Sequence, residues 1–373
     1  MAEGTMVGKA GVAEVDEVLV TVGIDTHVDV HVAVALDQFG RKLDALSITT
    51  TGRGHRRLLE WVRALGTPHR FGVEGTGAYG AGLTRYLRRQ GMDVVEVIRP
   101  TRQTRRRAGG KNDAIDAEAA ARAVQAGTVM GQAKSQDGPV EMIRTLRLAR
   151  RSAMKARTQA ANQLHAVVVT APQELRDRLR KLPLAELVAT AARFRPGCVD
   201  SLEAAARLAL KSLAVRYRQL AQEIAALDQQ IDRLAHQAAP DLMQIKGVGV
   251  DTAAALLVAA GDNPQRLRSE ASFAHMCGVA PIPASSGKTN RNRLNRGGNR
   301  EANRALYMLA INRLSYDPRA RAYAARRTAE GKTRSEIVRC LKRYLAREVF
   351  KALVSANDAV PRPQPGISTT QPA

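Results

Sequence analysis

The chain has 373 residues, which is too long for one ordinary core and predicts two or three domains of about 150 residues each. Hydrophobic residues make up 45% of it, which excludes a wholly disordered chain, while the aromatic content of 3% leaves aliphatic side chains to fill the cores. Lysine and arginine number 58 against 35 acidic residues, a formal net charge of +23. This imbalance indicates a polyanionic partner, with nucleic acid as the first candidate and an anionic membrane surface as the second.

Membrane insertion and metal-binding cysteines are not indicated. No stretch approaches the roughly 18 uninterrupted apolar residues of a spanning helix, and the polar leader 1–17 has no apolar signal core. Cys198, Cys277 and Cys340 are odd in number and far apart, which predicts neither a disulfide framework nor a zinc knuckle. We therefore expect a soluble protein that stays inside the cell.

Residues 18–137 alternate between strand and helix signals. The β-branched runs up to Thr50 are broken at 25–27 and at 38–40, which predicts three strands joined by tight turns. Alternating helix and strand signals follow, at Arg56–Leu65, Arg70–Gly75, Leu83–Gln90 and Asp93–Ile98. The sequence therefore predicts a mixed α/β sheet in this region.

A strongly basic connector follows the last predicted strand and leads to an alanine-rich helix that begins near Asn112. Charges packed this densely are expected to face solvent or phosphate rather than a core. The residues that we predict to bind nucleic acid here are Arg102, Arg105, Arg106, Arg107 and Lys111.

From about Gly138 the composition becomes almost purely helical. Apolar residues between Leu210 and Leu234 alternate spacings of three and four, which is a heptad pattern. Two interpretations stay open: an intramolecular hairpin with Met142–Leu164 as the partner helix, or a dimerising coiled coil. The helical region is predicted over 138–239.

A glycine-containing turn between two helices comes next. Lys246, Gly247 and Gly249 lie in a pattern that resembles the helix-hairpin-helix of DNA repair and recombination proteins. Such glycines bring backbone N–H groups close to phosphate, assisted by the N-terminus of the next helix, although a plain turn is the alternative. The tail 358–373, rich in Pro, Ser, Thr and Gln, is predicted to be disordered.

Four carboxylates form the first candidate site, the acidic centre. Asp25 and Glu74 each end an apolar strand, whereas Asp113 and Asp116 share one face at the start of a helix. We expect both strand ends to meet at one sheet edge, with the helix packed across them. Like charges this close need a neutralising cation, for which Mg²⁺ or Mn²⁺ is the oxygen-seeking choice. Such ions can activate the attacking oxygen of a phosphodiester cleavage and stabilise the leaving one.

Each acid taken singly has a plainer interpretation, as a turn former or a helix cap. Four together in a basic protein favour the metal site. The segment Gly75–Gly80 is formally a GxGxxG motif, but the strand meander before it is not the opening of a dinucleotide-binding domain. We expect these glycines to turn the chain sharply after Glu74.

A serine–glycine loop followed by basic residues forms the second candidate site. Ser285 and Ser286 precede Gly287 on a proline-rich stretch. A serine there either acts as a nucleophile or only hydrogen-bonds phosphate, and the residue types leave both open. Arginine forks hold phosphate and stabilise charge on a phosphoryl group in transfer. The basic residues that we predict to do so are Lys288, Arg291, Arg293, Arg296, Arg300 and Arg304.

These motifs, in this order, resemble the IS110/IS1111-type transposases of bacterial insertion sequences. GIDTH, VEGTG and KNDAIDA are similar to the Asp-Glu-Asp-Asp tetrad of that family's RuvC-like, RNase H-fold domain. The segment GVAPIPASSGKTNRNRLNRGGNREANRALY looks like the loop ending in Ser-Gly, and the Arg-x-Gly-Asn-Arg after it, of its C-terminal transposase domain. The resemblance spans about Val18–Lys351.

The resemblance implies an α/β RNase H-like domain, a long helical or coiled-coil region, and a mostly α-helical transposase domain over 240–357. It implies that Asp25, Glu74, Asp113 and Asp116 bind Mg²⁺ or Mn²⁺. It also implies that Ser286, with Ser285 as the register alternative, links covalently to DNA. The implied partners are donor and target DNA, a structured guide RNA and further copies of the chain, as a dimer or tetramer, in the bacterial cytoplasm at the nucleoid.

Three hypotheses of different kinds follow. The first is a transposase that cleaves and exchanges strands through a serine–DNA intermediate. The second is a metal-only nuclease of the Holliday-junction resolvase type, in which Ser286 merely binds phosphate. The third is a non-catalytic scaffold that binds nucleic acid.

Overall fold

The computed structural model describes residues 17–97, 113–128, 132–285 and 292–358, which form two compact units, residues 1–136 and 137–373. Three sets of predicted features lie outside the described residues: the basic connector with Arg102, Arg105, Arg106, Arg107 and Lys111; Ser286, Lys288 and Arg291; and nearly all of the tail. Among the helices that are described, none combines the length and the apolar character that crossing a bilayer requires.

The first unit is built on a five-stranded sheet. Its strands are β1 (Leu19–Thr26), β2 (Val30–Leu36), β3 (Lys42–Thr49), β4 (Thr67–Glu74) and β5 (Val94–Val97), in the order β3-β2-β1-β4-β5. β2 runs antiparallel to β1 and β3, whereas β4 runs parallel to β1 and to β5. The predicted mixed sheet is confirmed. The first break lies at 27–29 rather than 25–27, so Asp25 belongs to the strand itself.

Helices cover both faces of this sheet. They are α1 (Gly52–Leu65), α2 (Ala81–Arg89) and α3 (Asp113–Gln125). Thr51 caps the N-terminus of α1, since its hydroxyl accepts a hydrogen bond from the backbone nitrogen of Gly54. Ile24 packs with Leu58 and Leu83 on the side of α1 and α2, whereas Val34 and Leu36 of β2 pack against Ala117 and Ala121 of α3.

Two long helices open the second unit and pack against each other. The helices of this part are α4 (Pro139–Thr170), α5 (Gln173–Leu179), α6 (Leu184–Ala192) and α7 (Leu202–Ala238). Leu164 shares a buried cluster with Leu210, and Ile143 shares another with Ile231. The heptad face of α7 therefore packs on α4 of the same chain, as the hairpin interpretation expects; pairing of α7 between protomers stays a prediction.

The remaining elements are mostly helical, as predicted. They are α8 (Pro240–Gln244), α9 (Val250–Ala260), α10 (Glu270–Met276), β6 (Ile282–Pro283), β7 (Asn292–Arg293), α11 (Arg300–Tyr316), α12 (Pro318–Ala329) and α13 (Arg334–Asp358). Leu256, Phe273 and Leu306 belong to the same core as Ile143 and Ile231. One buried core therefore includes side chains from both sides of residue 240, and the domain boundary at that point stays a prediction.

Candidate metal centre and nucleic-acid interface

Helix α3 lies directly on the backbone of the two central strands because glycines face it. Gly23 on β1 and Gly72 on β4 are neighbours in the parallel register. A Cβ atom on Gly23 would overlap the carbonyl oxygen of Ala117, and one on Gly72 would lie 2.5 Å from Cγ2 of Val124. The close approach of helix to sheet therefore requires residues without a side chain at both positions.

The same face of the sheet carries the predicted acids. Side chains alternate along a strand, so Asp25 and Glu74, each two residues beyond one of these glycines, lie on the face that α3 covers. Asp113 and Asp116 are in the first turn of α3. The ends of β1 and β4 and the first turn of α3 therefore belong to the same face of the sheet, and a joint role for the four acids stays a prediction.

Asp25 is a buried carboxyl with charged side chains around it. Burial raises the pKa of its carboxyl; His27 lowers it, and Asp113 and Asp116 raise it further. Asp116 is also buried, whereas Asp113 is partly exposed. The negative charges of these neighbouring carboxylates repel one another, and a bound cation would offset that repulsion.

His27 is the residue that sequence analysis missed. Its Nε2 lies 3.1 Å from Oδ2 of Asp25 and 3.4 Å from Oδ1 of Asp113. Among the described residues, Asp25, His27 and Asp113 form a cluster that could hold a metal ion, because one potential ligand atom from each lies within 4.8 Å of the other two. The signal in the sequence was a histidine two residues beyond an acid at a strand end. The ligand roles of Asp25, Glu74, Asp113 and Asp116 all stay predictions.

Two short strands, residues 282–283 and 292–293, lie on either side of the serine–glycine segment, and we term this pair of strands the serine hairpin. Ile282 pairs with Arg293 and Pro283 with Asn292. Ser285 is exposed, and Ser286 lies outside the described residues.

The start of α11 is fixed to the turn that precedes the serine hairpin. A Cβ atom on Gly298 would overlap the backbone of Gly278, and the backbone nitrogen of Asn299 donates to the carbonyl oxygen of Met276 at 2.6 Å. The Asn303 amide donates to the carbonyl oxygens of Cys277 and Gly278, at 3.0 Å each. These contacts connect the base of the hairpin rigidly to a long helix.

A cationic cavity lies beside this base. The arginine pocket, as we term it, has a volume of about 500 Å³ and is lined by Gly278, Asn295, Arg296, Gly298, Arg300, Asn303, Arg304 and Tyr307. Three of the predicted arginines therefore meet in one cavity, and Arg293 lines the neighbouring groove. Across the described residues, the guanidinium groups of Arg296, Arg300 and Arg304 have no acidic partner within 4 Å. They are free to bind phosphate oxygens.

The predicted glycine-containing turn around Gly247 is present between the helices α8 and α9, whereas its assignment as a helix-hairpin-helix stays a prediction. Gly247 has φ +93°, and the carbonyl oxygen of Lys246 accepts from the Tyr316 hydroxyl at 2.7 Å and from Nε of Arg313 at 2.9 Å. The Lys246 ammonium lies 4.9 Å from the centre of the Tyr316 ring. The turn is thus packed on α11, while phosphate binding by Lys246, Gly247 and Gly249 stays a prediction.

Comparison with known protein families matches both units. Residues 22–171 match the DEDD transposase model of IS110 type, described as "Transposase", and residues 239–325 match "Transposase IS116/IS110/IS902 family". The chain belongs to the IS110 transposase family. The first match contains the acidic centre and His27, and the second contains the serine hairpin and the arginine pocket.

Two curated relatives are insertion-element proteins. This IS110-family chain is 36% identical over 149 residues to the "Insertion element IS110 uncharacterized 43.6 kDa protein" of Streptomyces coelicolor. The aligned region covers 39% of the chain and 36% of that protein. It is 31% identical over 176 residues to the "Insertion element IS900 uncharacterized 42 kDa protein" of Mycobacterium paratuberculosis. Here the aligned region covers 44% of the chain and 43% of that protein. The chain thus spans less than half the length of each relative.

Proposed function

We propose that this IS110-family protein is a DNA transposase that depends on a divalent metal. The observation that carries the proposal is the convergence of Asp25, Asp113 and Asp116 beside the end of β4, where Glu74 lies. The strand order β3-β2-β1-β4-β5, with β2 antiparallel, supports an RNase H-like, RuvC-like domain as the carrier of this centre.

The residues of the centre fit a divalent cation. Carboxylate oxygens are the ligands that Mg²⁺ and Mn²⁺ prefer, and a buried carboxyl among like charges needs a positive partner. Asp25 and Asp113, with Glu74 and Asp116 beside them, would hold the metal. A bound metal of this kind supplies polarisation of a phosphodiester oxygen and stabilisation of the leaving oxygen.

The second part of the proposal is a serine nucleophile, Ser286, with Ser285 as the register alternative. The serine oxygen attacks phosphorus and gives up its proton to a base, the bond from phosphorus to the 3′ oxygen breaks, and that oxygen leaves as a hydroxyl after taking up a proton. The phosphoserine ester conserves the bond, so a 3′ hydroxyl of another strand can attack it, rejoin the DNA and release the serine. The arginine pocket beside the serine hairpin supports this step, because its charges can bind the phosphate.

The third part concerns partners. Donor and target DNA and a structured guide RNA present many phosphates, for which the net charge of +23 supplies affinity that does not depend on sequence. Base pairing by the RNA would then choose the sites. We further propose a homo-oligomer, a dimer or a tetramer on DNA, in which the acidic centre of one subunit works with the serine of another. The low aromatic content of 3% supports recognition of the backbone rather than base stacking.

A covalent-adduct assay tests the nucleophile. Radiolabelled element ends are incubated with the protein, guide RNA and Mg²⁺, and label that survives denaturation on the protein is measured. We expect Ser286→Ala to form no adduct and Ser285→Ala to form it. The reverse result would move the nucleophile to Ser285. An adduct formed by the variant with alanine at both positions would overturn the serine mechanism.

The same assay separates transposition from the second candidate, a metal-only nuclease. The acidic centre alone could hydrolyse DNA, and its residues all lie in the first unit. One outcome favours hydrolysis over the serine mechanism: Ser286→Ala and Ser285→Ala both cleave DNA as the wild type does, and neither these variants nor the wild type forms an adduct. Asp25→Asn should abolish cleavage under either mechanism while salt-sensitive DNA binding persists.

A further inference from the structure

We propose that His27 is a ligand of the metal in the acidic centre and that its imidazole makes this centre favour Mn²⁺ over Mg²⁺. The inference rests on the metal-dependent function proposed above. It adds a nitrogen donor to a centre that the sequence predicts to contain oxygen donors alone.

The backbone places His27 at the mouth of the centre. His27 directly follows β1, whose last residues pair with β2 through Asp25 with Val32 and Thr26 with His31. On the other side, the Thr26 hydroxyl donates to the carbonyl oxygen of Glu74 at 2.8 Å. The chain is therefore held on both sides immediately before His27.

The imidazole of His27 joins carboxylates from two different elements. Nε2 lies 3.1 Å from the Asp25 carboxylate at the end of β1 and 3.4 Å from the Asp113 carboxylate at the start of α3. The Asp25 side chain is 3% exposed. The side chain of His27 is 33% exposed, and that of Asp113 is 42% exposed. One buried and two accessible donors thus surround a point that a cation can reach from solvent.

The chemistry of this donor set decides between metals. Mg²⁺ strongly prefers an octahedral shell of oxygens, including several waters, and gains little from imidazole. Mn²⁺ accepts the same carboxylates and also binds imidazole nitrogen more readily, because it is a transition-metal ion. Two carboxylates with one imidazole therefore favour Mn²⁺.

Pulsed electron paramagnetic resonance on the full-length protein loaded with Mn²⁺ tests this directly. Directly bound imidazole gives ¹⁴N modulation, and labelling of histidine with ¹⁵N changes that modulation without any substitution. We expect the ¹⁴N signal in the wild type, its replacement on ¹⁵N-histidine labelling, and its loss in His27→Gln. By calorimetry, His27→Gln should weaken Mn²⁺ binding about tenfold or more while Mg²⁺ binding changes less than about twofold.

His69→Gln is the matched control. His69 is exposed near the start of β4, at the end of that strand away from Glu74, and should leave both readouts unchanged. Mn²⁺ that binds the wild type but not Asp25→Asn, yet shows no histidine nitrogen signal, would overturn the role of His27 alone. Mn²⁺ that binds Asp25→Asn as tightly as the wild type would instead overturn the metal centre itself.

Discussion

Gly23 and Gly72 lie side by side on β1 and β4, and helix α3 packs on the backbone of both. A glycine pair in register makes a flat place on a sheet, where a helix can come closer than side chains would allow. The depth of that contact determines how far the first turn of α3, with Asp113 and Asp116, reaches toward Asp25. The geometry of the acidic centre is thus set in part by residues that take no part in its chemistry.

Substitution of Gly23 by alanine should therefore damage both folding and metal binding. The added Cβ meets backbone atoms of α3, which cannot rotate away. We expect Gly23→Ala to lower the free energy of unfolding by about 1–3 kcal/mol and to weaken Mn²⁺ binding, measured by urea unfolding and calorimetry. Gly52→Ala is the control, since a Cβ atom there meets nothing within 4 Å. Equal behaviour of the two variants would show that α3 does not depend on the glycine.

A neighbouring pair of glycines offers a sharper comparison at the serine hairpin. A Cβ atom on Gly298 overlaps the backbone of Gly278, whereas one on Gly297 comes no closer than 3.6 Å, to Oδ1 of Asn295. We expect Gly298→Ala to separate α11 from the base of the serine hairpin. Because this would displace the serine nucleophile from its reactive position, covalent-adduct formation should fall at least about tenfold. Gly297→Ala should form the adduct as the wild type does. Adduct formation unaffected by Gly298→Ala would contradict the contact's role.

Acid should destabilise the first unit through His31. This side chain is 1% exposed, stacks on His55 at a ring distance of 6.2 Å, and has no hydrogen-bond partner for its ring nitrogens among the described residues. Burial, with a further contribution from His55, lowers the pKa of His31 to about 4. An unfolded histidine binds its proton near pH 6.5, so between these values the unfolded state holds more protons and stability falls as the pH falls.

We expect the contribution of His31 to this loss to approach about 1.4 kcal/mol per pH unit. Urea unfolding at pH 7, 6 and 5 measures it, as the difference in slope between the wild type and His31→Leu. The leucine variant should lose stability more slowly on acidification, and His69→Gln should keep the wild-type slope. Parallel curves for the wild type and His31→Leu would mean that His31 does not charge on unfolding in this range.

Much of the first unit follows from local sequence. Alternating β-branched residues predict the strands, and Asp25 and Glu74 stand where those strands end. The predicted helix start near Asn112 agrees with α3, which begins at Asp113 within the described residues. These features depend on residues close together in the chain, which is why a single sequence suffices for them.

The approach of His27 to Asp113 could not be predicted in this way. It depends on which face of the sheet α3 covers and how deeply, and that depends on Gly23 and Gly72 being neighbours in register. The arginine pocket is similar, because Arg296 and Arg304 line one cavity through contacts between the start of α11 and residues 276–278, which are far away in the sequence. In the second unit the heptad pattern predicts a packed face of α7, but only the tertiary structure shows that α4 covers it.

The most direct test of a metal-binding acidic centre is thermal unfolding of the wild type and Asp25→Asn, with and without Mg²⁺. Without metal, Asp25→Asn removes a buried charge beside Asp113 and Asp116, so we expect it to be at least as stable as the wild type. Mg²⁺ should raise the midpoint of the wild type progressively with concentration, because it binds the folded state, and should leave the midpoint of Asp25→Asn unchanged. An equal rise in both proteins would contradict the proposed metal centre.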